Sequence, residues 1–296
     1  MDEGVVPRGS RAAGRRSEPI GERGARDDPR VARPHPSRAG FPRRVRALPR
    51  RRRGAHRRHA GGARRLSSKG GHYGGRVSGT VALVGGEEFS PACTFDRELL
   101  DVSGASEVLV VPTGAAYEHP DRSVSAAQGY FDGLGSKARG LMLLARPDAL
   151  DPTNVAELRA ARFVYLTGDS PMHVRSVLKA TPCWEAILDA WRDGAVIAGS
   201  AGGARVLCDP MVDPRGGAFT LGLGLIEQLA VVPHHDQWTH DRSRRTFELA
   251  GSQFPVVVVD KQTAVIRSSD GGWRTAGAGK VQIMLDGVEV GLDALP

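Results

Sequence analysis

Cysteine is scarce in this chain of 296 residues, which contains three. Cys93, Cys183 and Cys208 are odd in number and far apart in sequence, which argues against a disulfide framework and against a CxxC metal site. A reducing, cytoplasmic environment is therefore expected. No run of residues is long and apolar enough to span a bilayer, so no membrane partner is expected either.

Acidic residues are few in the first quarter of the chain. Residues 1–76 carry 22 Lys and Arg but 6 Asp and Glu, whereas the remaining residues carry 19 and 27. The formal net charge of +8 therefore belongs to an arginine-rich N-terminal segment. The rest of the chain is mildly acidic.

The N-terminal segment also has few aromatic or branched apolar residues. Such a segment cannot bury enough surface to offset the entropy lost on ordering, and we predict a disordered basic arm over residues 1–77. Electrostatic binding to nucleic acid or an anionic membrane is one interpretation. A solvated tail, or sequence translated from upstream of the true start codon, is favoured instead, so nucleic acid is not expected as a partner.

From residue 78 onward, short runs of Val, Leu and Ile alternate with segments of helical length. Unbroken apolar runs are typical of strands that are buried on both faces, as in parallel sheets. One α/β domain over residues 78–296 follows, with an open, mostly parallel sheet and extra C-terminal strands. We expect strands at 80–86, 107–114, 139–146, 162–169 and 195–200, and helices near 121–134, 152–160, 171–179, 183–192 and 241–251.

The segment Gly199-Ser200-Ala201-Gly202 lies where the last of these strands passes into a helix. A nucleophile elbow requires small residues at such a turn, because the turn is strained and the backbones pass closely. In that interpretation Ser200 is a nucleophile and the N–H of Ala201 stabilises an oxyanion. The alternative is a serine in a tight, glycine-lined connection.

A serine nucleophile needs a base, and histidine is the usual one. His234 and His235 follow the apolar run "LAVVP", so a strand would deliver them to an edge of the sheet. A metal site is not expected, because no Asp, Glu or Cys cluster stands beside them at ligand spacing. Two exposed loop histidines are the other interpretation.

Four segments together resemble a known family: "FVYLTGDSPMHVRSVLKATP", "VIAGSAGGARVL", "LGLGLIEQLAVVPHHDQWTHDRSRR" and "VVVVDKQTAVI". They are similar to the serine exopeptidases that include aspartyl dipeptidase (peptidase E) and cyanophycinase. The resemblance covers about residues 79–290 in the same order. It implies a flavodoxin-like sheet with helices on both faces, the layout of class I glutamine amidotransferases.

The resemblance also implies roles for individual residues. Ser200 matches the nucleophile, His234 matches the catalytic histidine, and the turn at Gly168 matches the loop that gives a second oxyanion N–H. The arginines that follow the histidine resemble those that recognise substrate carboxylates, and they are Arg242, Arg244 and Arg245. An arginine fork pairs bidentately with a carboxylate, which agrees with this role.

The acid of the triad is where the sequence departs from the family. Lys261 stands where the cyanophycinase branch has a glutamate, and an ammonium cannot stabilise an imidazolium. Asp213 lies near the position of the acid in the dipeptidase branch and is the expected partner of His234. Asp260 is the alternative.

The function implied by the resemblance is hydrolysis of peptide bonds next to aspartate, through an acyl-enzyme and without a metal or organic cofactor. The expected partner is an acidic or Asp-containing peptide, and a homodimer is left open. A catalytically decayed relative that binds a small molecule or a peptide is the alternative. An α/β-hydrolase esterase is disfavoured because His234 follows Ser200 by 34 residues, with several strands still to come.

Overall fold

A seven-stranded sheet runs through the computed structural model, which describes residues 78–296. The predicted arm, residues 1–77, lies outside the described residues. The strands are β1 (Val81–Val84), β2 (Glu107–Val111), β3 (Lys137–Gly140), β4 (Phe163–Leu166), β5 (Val196–Ser200), β6 (Cys208–Asp209), β7 (Met211–Val212), β8 (Phe219–Thr220), β9 (Ile226–Glu227), β10 (Ala230–Pro233), β11 (Val256–Val259), β12 (Thr263–Arg267), β13 (Trp273–Gly277), β14 (Val281–Leu285) and β15 (Val288–Val290).

The strands of the main sheet lie in the order β13-β12-β1-β5-β4-β2-β3. From β1 to β3 all neighbours are parallel, whereas β12 pairs antiparallel with β1 and with β13. A second sheet of four strands has the order β10-β11-β14-β15. The predicted α/β class, with a mostly parallel sheet and additional C-terminal strands, is confirmed.

Helices connect the parallel strands, and five of them match the predicted helices to within one residue at each end. The helices are α1 (Phe95–Ser103), α2 (Pro120–Gly133), α3 (Pro152–Ala160), α4 (Pro171–Leu178), α5 (Pro182–Arg192), α6 (Gly202–Leu207) and α7 (His240–Ala250). Helix α1 was not predicted, although Phe95 and Leu99 have the four-residue spacing of one helical face. Within residues 78–296, no helix combines the length and the apolar character needed to cross a membrane.

Apolar side chains cover both faces of the main sheet. On one face, Ala82 and Val84 of β1 share a core with Phe95 of α1 and Phe131 of α2. On the other face, Leu83 shares a core with residues of α3, α4, α5 and α6 and of the second sheet. Burial on both faces explains why these strands read as continuous apolar runs.

Strand β3 is shorter than the sequence predicted. A strand was expected over 139–146, but β3 ends at Gly140. Leu141 and Leu143 are nevertheless buried, in a segment that is not a strand. An apolar run reports burial and not backbone conformation, which accounts for the difference.

The carboxyl ends of β1, β4 and β5 meet at one edge of the sheet, and the backbones there pass very closely. The imidazole of His234 lies directly on Gly86, where a Cβ atom would stand 1.9 Å from Cε1 of the ring. Gly86 also has a φ of 108°, which a residue with a side chain rarely adopts. The N–H of His234 donates to the carbonyl of Gly85 at 2.7 Å. Glycine at position 86 is therefore what allows His234 to reach this edge.

Helix α1 buries an acidic residue against the sheet. Asp96 is fully enclosed, and neither of its carboxyl oxygens has a hydrogen-bond partner among the described residues. Burial raises the pKa of Asp96 to about 8, and the nearby carboxylate of Glu88 adds to the increase. Asp96 is therefore a neutral acid in the folded protein at neutral pH.

We expect Asp96→Asn to reduce the pH dependence of stability. Above about pH 4 the unfolded chain ionises Asp96 while the folded protein keeps it protonated, so the free energy of unfolding falls as pH rises towards about 8. Asparagine has no proton to lose. Thermal unfolding between about pH 5 and 9 should show a steeper loss for the wild type than for the variant. Asp101→Asn, on the exposed side of α1, is the control, and equal slopes for the wild type and Asp96→Asn would contradict burial of the acid.

We expect Gly86→Ala to destabilise the protein more than Gly104→Ala. Both glycines have positive φ, so both substitutions carry backbone strain of about 1–3 kcal/mol. A Cβ at Gly104 meets no atom within 4 Å, whereas a Cβ at Gly86 overlaps the His234 ring. Urea unfolding compares the two variants. Equal losses would show that His234 does not rest on Gly86.

Candidate active site

The turn between β5 and α6 consists of a single residue, Ala201. It has φ 52° and ψ −112°, a strained conformation for any residue with a side chain. In a nucleophile elbow the nucleophile itself occupies this strained position. The sequence predicts Ser200 on the turn. The structure places Ala201 there, and Ser200 one residue earlier, at the end of β5.

Ser200 is completely buried and hydrogen-bonded to an acid. It pairs with Val84 in the register of the sheet, and its hydroxyl donates to Oε2 of Glu88 at 2.7 Å. Among the described residues, no hydrogen bond joins Ser200 to His234. Glu88 was missed by the sequence analysis, although two glutamates directly after a predicted strand and its Gly-Gly turn were a usable signal.

The amide of Ala201 is already engaged in the sheet. Its N–H donates to the carbonyl of Val84 at 3.1 Å, and the oxyanion role assigned to it from the sequence stays a prediction that would require this bond to break. Gly168 lies beside the start of α6, since a Cβ on Gly202 would stand 2.6 Å from the carbonyl oxygen of Gly168. These two glycines allow the turn after β4 and the turn after β5 to touch through their backbones. Backbone N–H groups from two such turns can donate to the same bound oxygen.

His234 follows β10 and lies in the left-handed region, with φ 53°. Its Nε2 is 3.6 Å from Oδ1 of Asp169, and its Nδ1 is buried without a hydrogen-bond partner in the described part of the chain. The contact with His234 holds the pKa of Asp169 below its ordinary value, and the positive charge of Arg205 contributes. Asp169 is thus the carboxylate that contacts this histidine.

Neither predicted acid reaches His234. Asp213 accepts hydrogen bonds from the side chain of Arg215 at 2.8 and 3.0 Å, and these lower its pKa. Asp260 lies 4.0 Å from Nδ1 of His235, the neighbouring histidine. Within residues 78–296, the structure therefore brings no carboxylate to Nδ1 of His234, where a triad acid would act.

Lys261, which replaces the glutamate of the cyanophycinase branch, forms an ion pair elsewhere. Its ammonium lies 3.3 Å from Oε1 of Glu87. The side-chain amide of Gln262 donates to the other oxygen of Glu87 at 3.1 Å. Lys261 therefore neutralises the loop after β1 and does not orient the histidine.

The three predicted arginines have different surroundings. Arg242 stacks on the indole of Trp238, 3.8 Å from the ring centroid, and donates to the carbonyl of Pro214. Arg244 is exposed and pairs with Glu248 at 3.0 Å. Arg245 is also exposed. Of the three, Arg242 is the one that is partly enclosed beside the site.

A fourth arginine was missed. Arg205 lies in α6, one helical turn after Ala201, and is buried. Its guanidinium lies 6.0 Å from the centroid of Trp238, the same ring that Arg242 covers. A charged residue inside the otherwise small and apolar segment Gly202–Leu207 was the signal in the sequence.

A cavity of about 810 Å³ borders the site beside α7 and the second sheet. It is lined by His235, Trp238, Phe247 and Met284, among others, and does not include Ser200 or His234.

Comparison with known proteins agrees with this fold. The profile of Peptidase family S51 matches residues 81–273. The cyanophycinases of Trichormus variabilis and of a Nostoc species are each 26% identical over 223 residues, covering 69% of this chain and 72% of theirs. The crystal structure of a peptidase from an acI-B1 Actinobacterium is 28% identical, with a TM-score of 0.65, and covers 73% of this chain and 94% of that one. The chain belongs to Peptidase family S51, a family of serine-type peptidases.

Proposed function

We propose that this member of family S51 acts on peptides beside an acidic residue, at the carboxyl edge of the main sheet. The observation that carries the proposal is the meeting of His234, in contact with Asp169, with two arginines on Trp238. The histidine suits proton transfer, and the arginines suit a substrate carboxylate. The names of the relatives, two cyanophycinases and a peptidase, support peptide hydrolysis.

In the proposed reaction Ser200 is the nucleophile and forms an acyl-enzyme. Its hydroxyl oxygen attacks the peptide carbonyl, and the proton passes to Glu88, which it already contacts. The amine leaves with a proton from His234. Water then attacks the ester on Ser200; one of its protons goes to His234, which restores the proton given to the amine, and the other stays on the carboxylic acid product. Glu88 returns to the serine oxygen the proton that it took from it. Since Ser200 is buried, this reaction requires the loop that carries Glu88 to open.

A second function is favoured by one observation, the alanine at the strained turn. The residue on that turn is the one whose side chain an elbow presents to substrate, and Ala201 offers a methyl group. With the same pocket and no hydroxyl at the turn, the protein would hold acidic peptides without cleaving them. It would then be a binding module built on a peptidase fold.

Two substitutions separate these functions. If Ser200 is the nucleophile, the full-length protein reacts with a fluorophosphonate and cleaves Asp-X or β-Asp-X dipeptides. Ser200→Ala should then lower the rate by at least about 10³-fold. Ala201→Ser, which restores a hydroxyl at the turn, is the matched variant. The measurements are covalent labelling by the fluorophosphonate and dipeptide cleavage, which is monitored through the amine that it releases.

The opposite result would favour the binding module. The wild type would then be neither labelled nor active, while Ala201→Ser would gain labelling. Binding of an Asp-X dipeptide by the wild type, measured by calorimetry, would complete that case. Cleavage that persists unchanged in Ser200→Ala would overturn the nucleophile assignment.

A further inference from the structure

A serine, a histidine and an aspartate lie in a row beside the cavity next to α7. The hydroxyl oxygen of Ser243 is 3.2 Å from Nε2 of His235, and Nδ1 of His235 is 4.0 Å from Oδ1 of Asp260. A nucleophile in contact with a base, and an acid on the far nitrogen of that base, form the arrangement of a serine hydrolase. The peptide hydrolysis proposed for Ser200 and His234 uses none of these three side chains.

The second sheet explains how the histidine and the aspartate meet. Strands β10 and β11 are parallel neighbours, and Pro233 pairs with Val259 at their carboxyl ends. His235 follows the first strand and Asp260 follows the second, so both leave the sheet at the same edge. The backbone N–H of Lys280 donates to Oδ2 of Asp260 at 3.0 Å. One carboxyl oxygen is thus held by the backbone, and the other faces the histidine.

The surroundings of His235 favour the state that a general base requires. Burial lowers the pKa of His235 and outweighs the opposite effect of Asp260 and Asp236, so the imidazole is neutral at neutral pH. A carboxylate near Nδ1 favours the tautomer that carries its proton there, which leaves Nε2 to accept from Ser243. The same hydroxyl lies 3.3 Å from the carbonyl of Thr239, so the histidine and the helix compete for its proton.

The cavity that the serine and the histidine line has room for a small substrate. Its volume of about 810 Å³ is typical of small-molecule sites. Trp238, Phe247 and Met284 give it apolar walls, which suit an aromatic or aliphatic acyl group. Arg244 also lines the cavity, and Ser243 lies in the first turn of α7. A cation and the positive end of a helix are therefore available to a developing oxyanion.

We propose that Ser243, His235 and Asp260 form a second hydrolytic site, which cleaves esters of aromatic or aliphatic carboxylic acids. The oxygen of Ser243 attacks the ester carbonyl, and its proton goes to Nε2 of His235, which gives it to the departing alcohol. Water then attacks the acyl-serine and loses one proton to His235, and this proton passes to the serine oxygen as the carboxylic acid leaves. Asp260 is a positioning residue that maintains the tautomer of the histidine. The site does not depend on Ser200.

Covalent labelling of the full-length protein tests the nucleophile. A fluorophosphonate should form an adduct on Ser243, which chymotrypsin releases in a peptide of residues 239–247 that contains no other serine. Ser200 lies in a different peptide, so one digest reads the two sites separately. His235→Gln should slow labelling of Ser243 by at least about 10²-fold, the contribution of a general base. Ser252→Ala, exposed just after α7, is the control and should label at the wild-type rate.

Hydrolysis of p-nitrophenyl butyrate, followed by the release of nitrophenolate, measures turnover at the same site. Ser243→Ala and His235→Gln should each lower the rate by at least about 10²-fold. Thermal unfolding of each variant checks that the fold is intact.

Asp260→Asn tests the positioning role through the pH profile of labelling. The negative charge of Asp260 raises the pKa of His235, so its removal should move the rise of labelling to lower pH and reduce the maximal rate. An aspartate with a purely structural role would leave the position of the profile unchanged. The variant keeps the other charged groups near the imidazole and around the cavity, which are Asp236, His240, Arg244, Glu248 and Asp286.

Two results would overturn the second site. One is a folded wild type that gives no adduct on the peptide of residues 239–247. The other is an adduct on Ser243 that forms as fast in His235→Gln as in the wild type. Neither result bears on the proposed peptide hydrolysis, which is judged by dipeptide cleavage and by Ser200→Ala. An adduct on Ser243 in a protein that cleaves no dipeptide would refute that hydrolysis and leave the second site standing.

Discussion

The close approach of backbones at the carboxyl edge of the main sheet is the constraint on which the site depends. Three loops, after β1, β4 and β5, meet there, and a fourth brings His234 from the second sheet. The imidazole can lie on Gly86 because position 86 has no Cβ, and Gly168 touches Gly202 for the same reason. A Cβ atom at Gly86 or Gly202 would overlap its neighbours, so the loops would have to move apart and the site would be disrupted.

The position of a single residue along β5 decides what this site can do. Successive side chains of a strand point to opposite faces, so a displacement of one residue moves a hydroxyl from one environment to another. Ser200 ends β5 and donates to Glu88, which is half-buried in the loop after β1, while Ala201 lies on the strained turn. His234 and the turn at Gly168, which the sequence predicts as the catalytic histidine and an oxyanion loop, lie at this edge of the sheet. The hydroxyl of Ser200, however, lies one residue before the strained turn.

The charges at the site favour the binding of a negatively charged ligand. His234 has an acid beside Nε2 and, in the part of the chain that the structure describes, none beside Nδ1, and Lys261 is paired with Glu87. Arg205 and Arg242 share Trp238 with little compensation. A pocket that retains uncompensated positive charge in a buried position gives up stability, and binding of a carboxylate would recover it.

The sequence by itself determined the α/β class, most helix bounds and the edge at which the loops meet. Periodicity and composition are local properties that report burial and secondary structure. Tertiary structure alone decided which side chains touch. The Ser200–Glu88 bond spans 112 residues, and the contact between His234 and Asp169 joins two sheets. Backbone dihedral angles at the elbow, and the packing of Arg205 against Trp238, depend on how distant segments fit together. No local pattern in the chain encodes them.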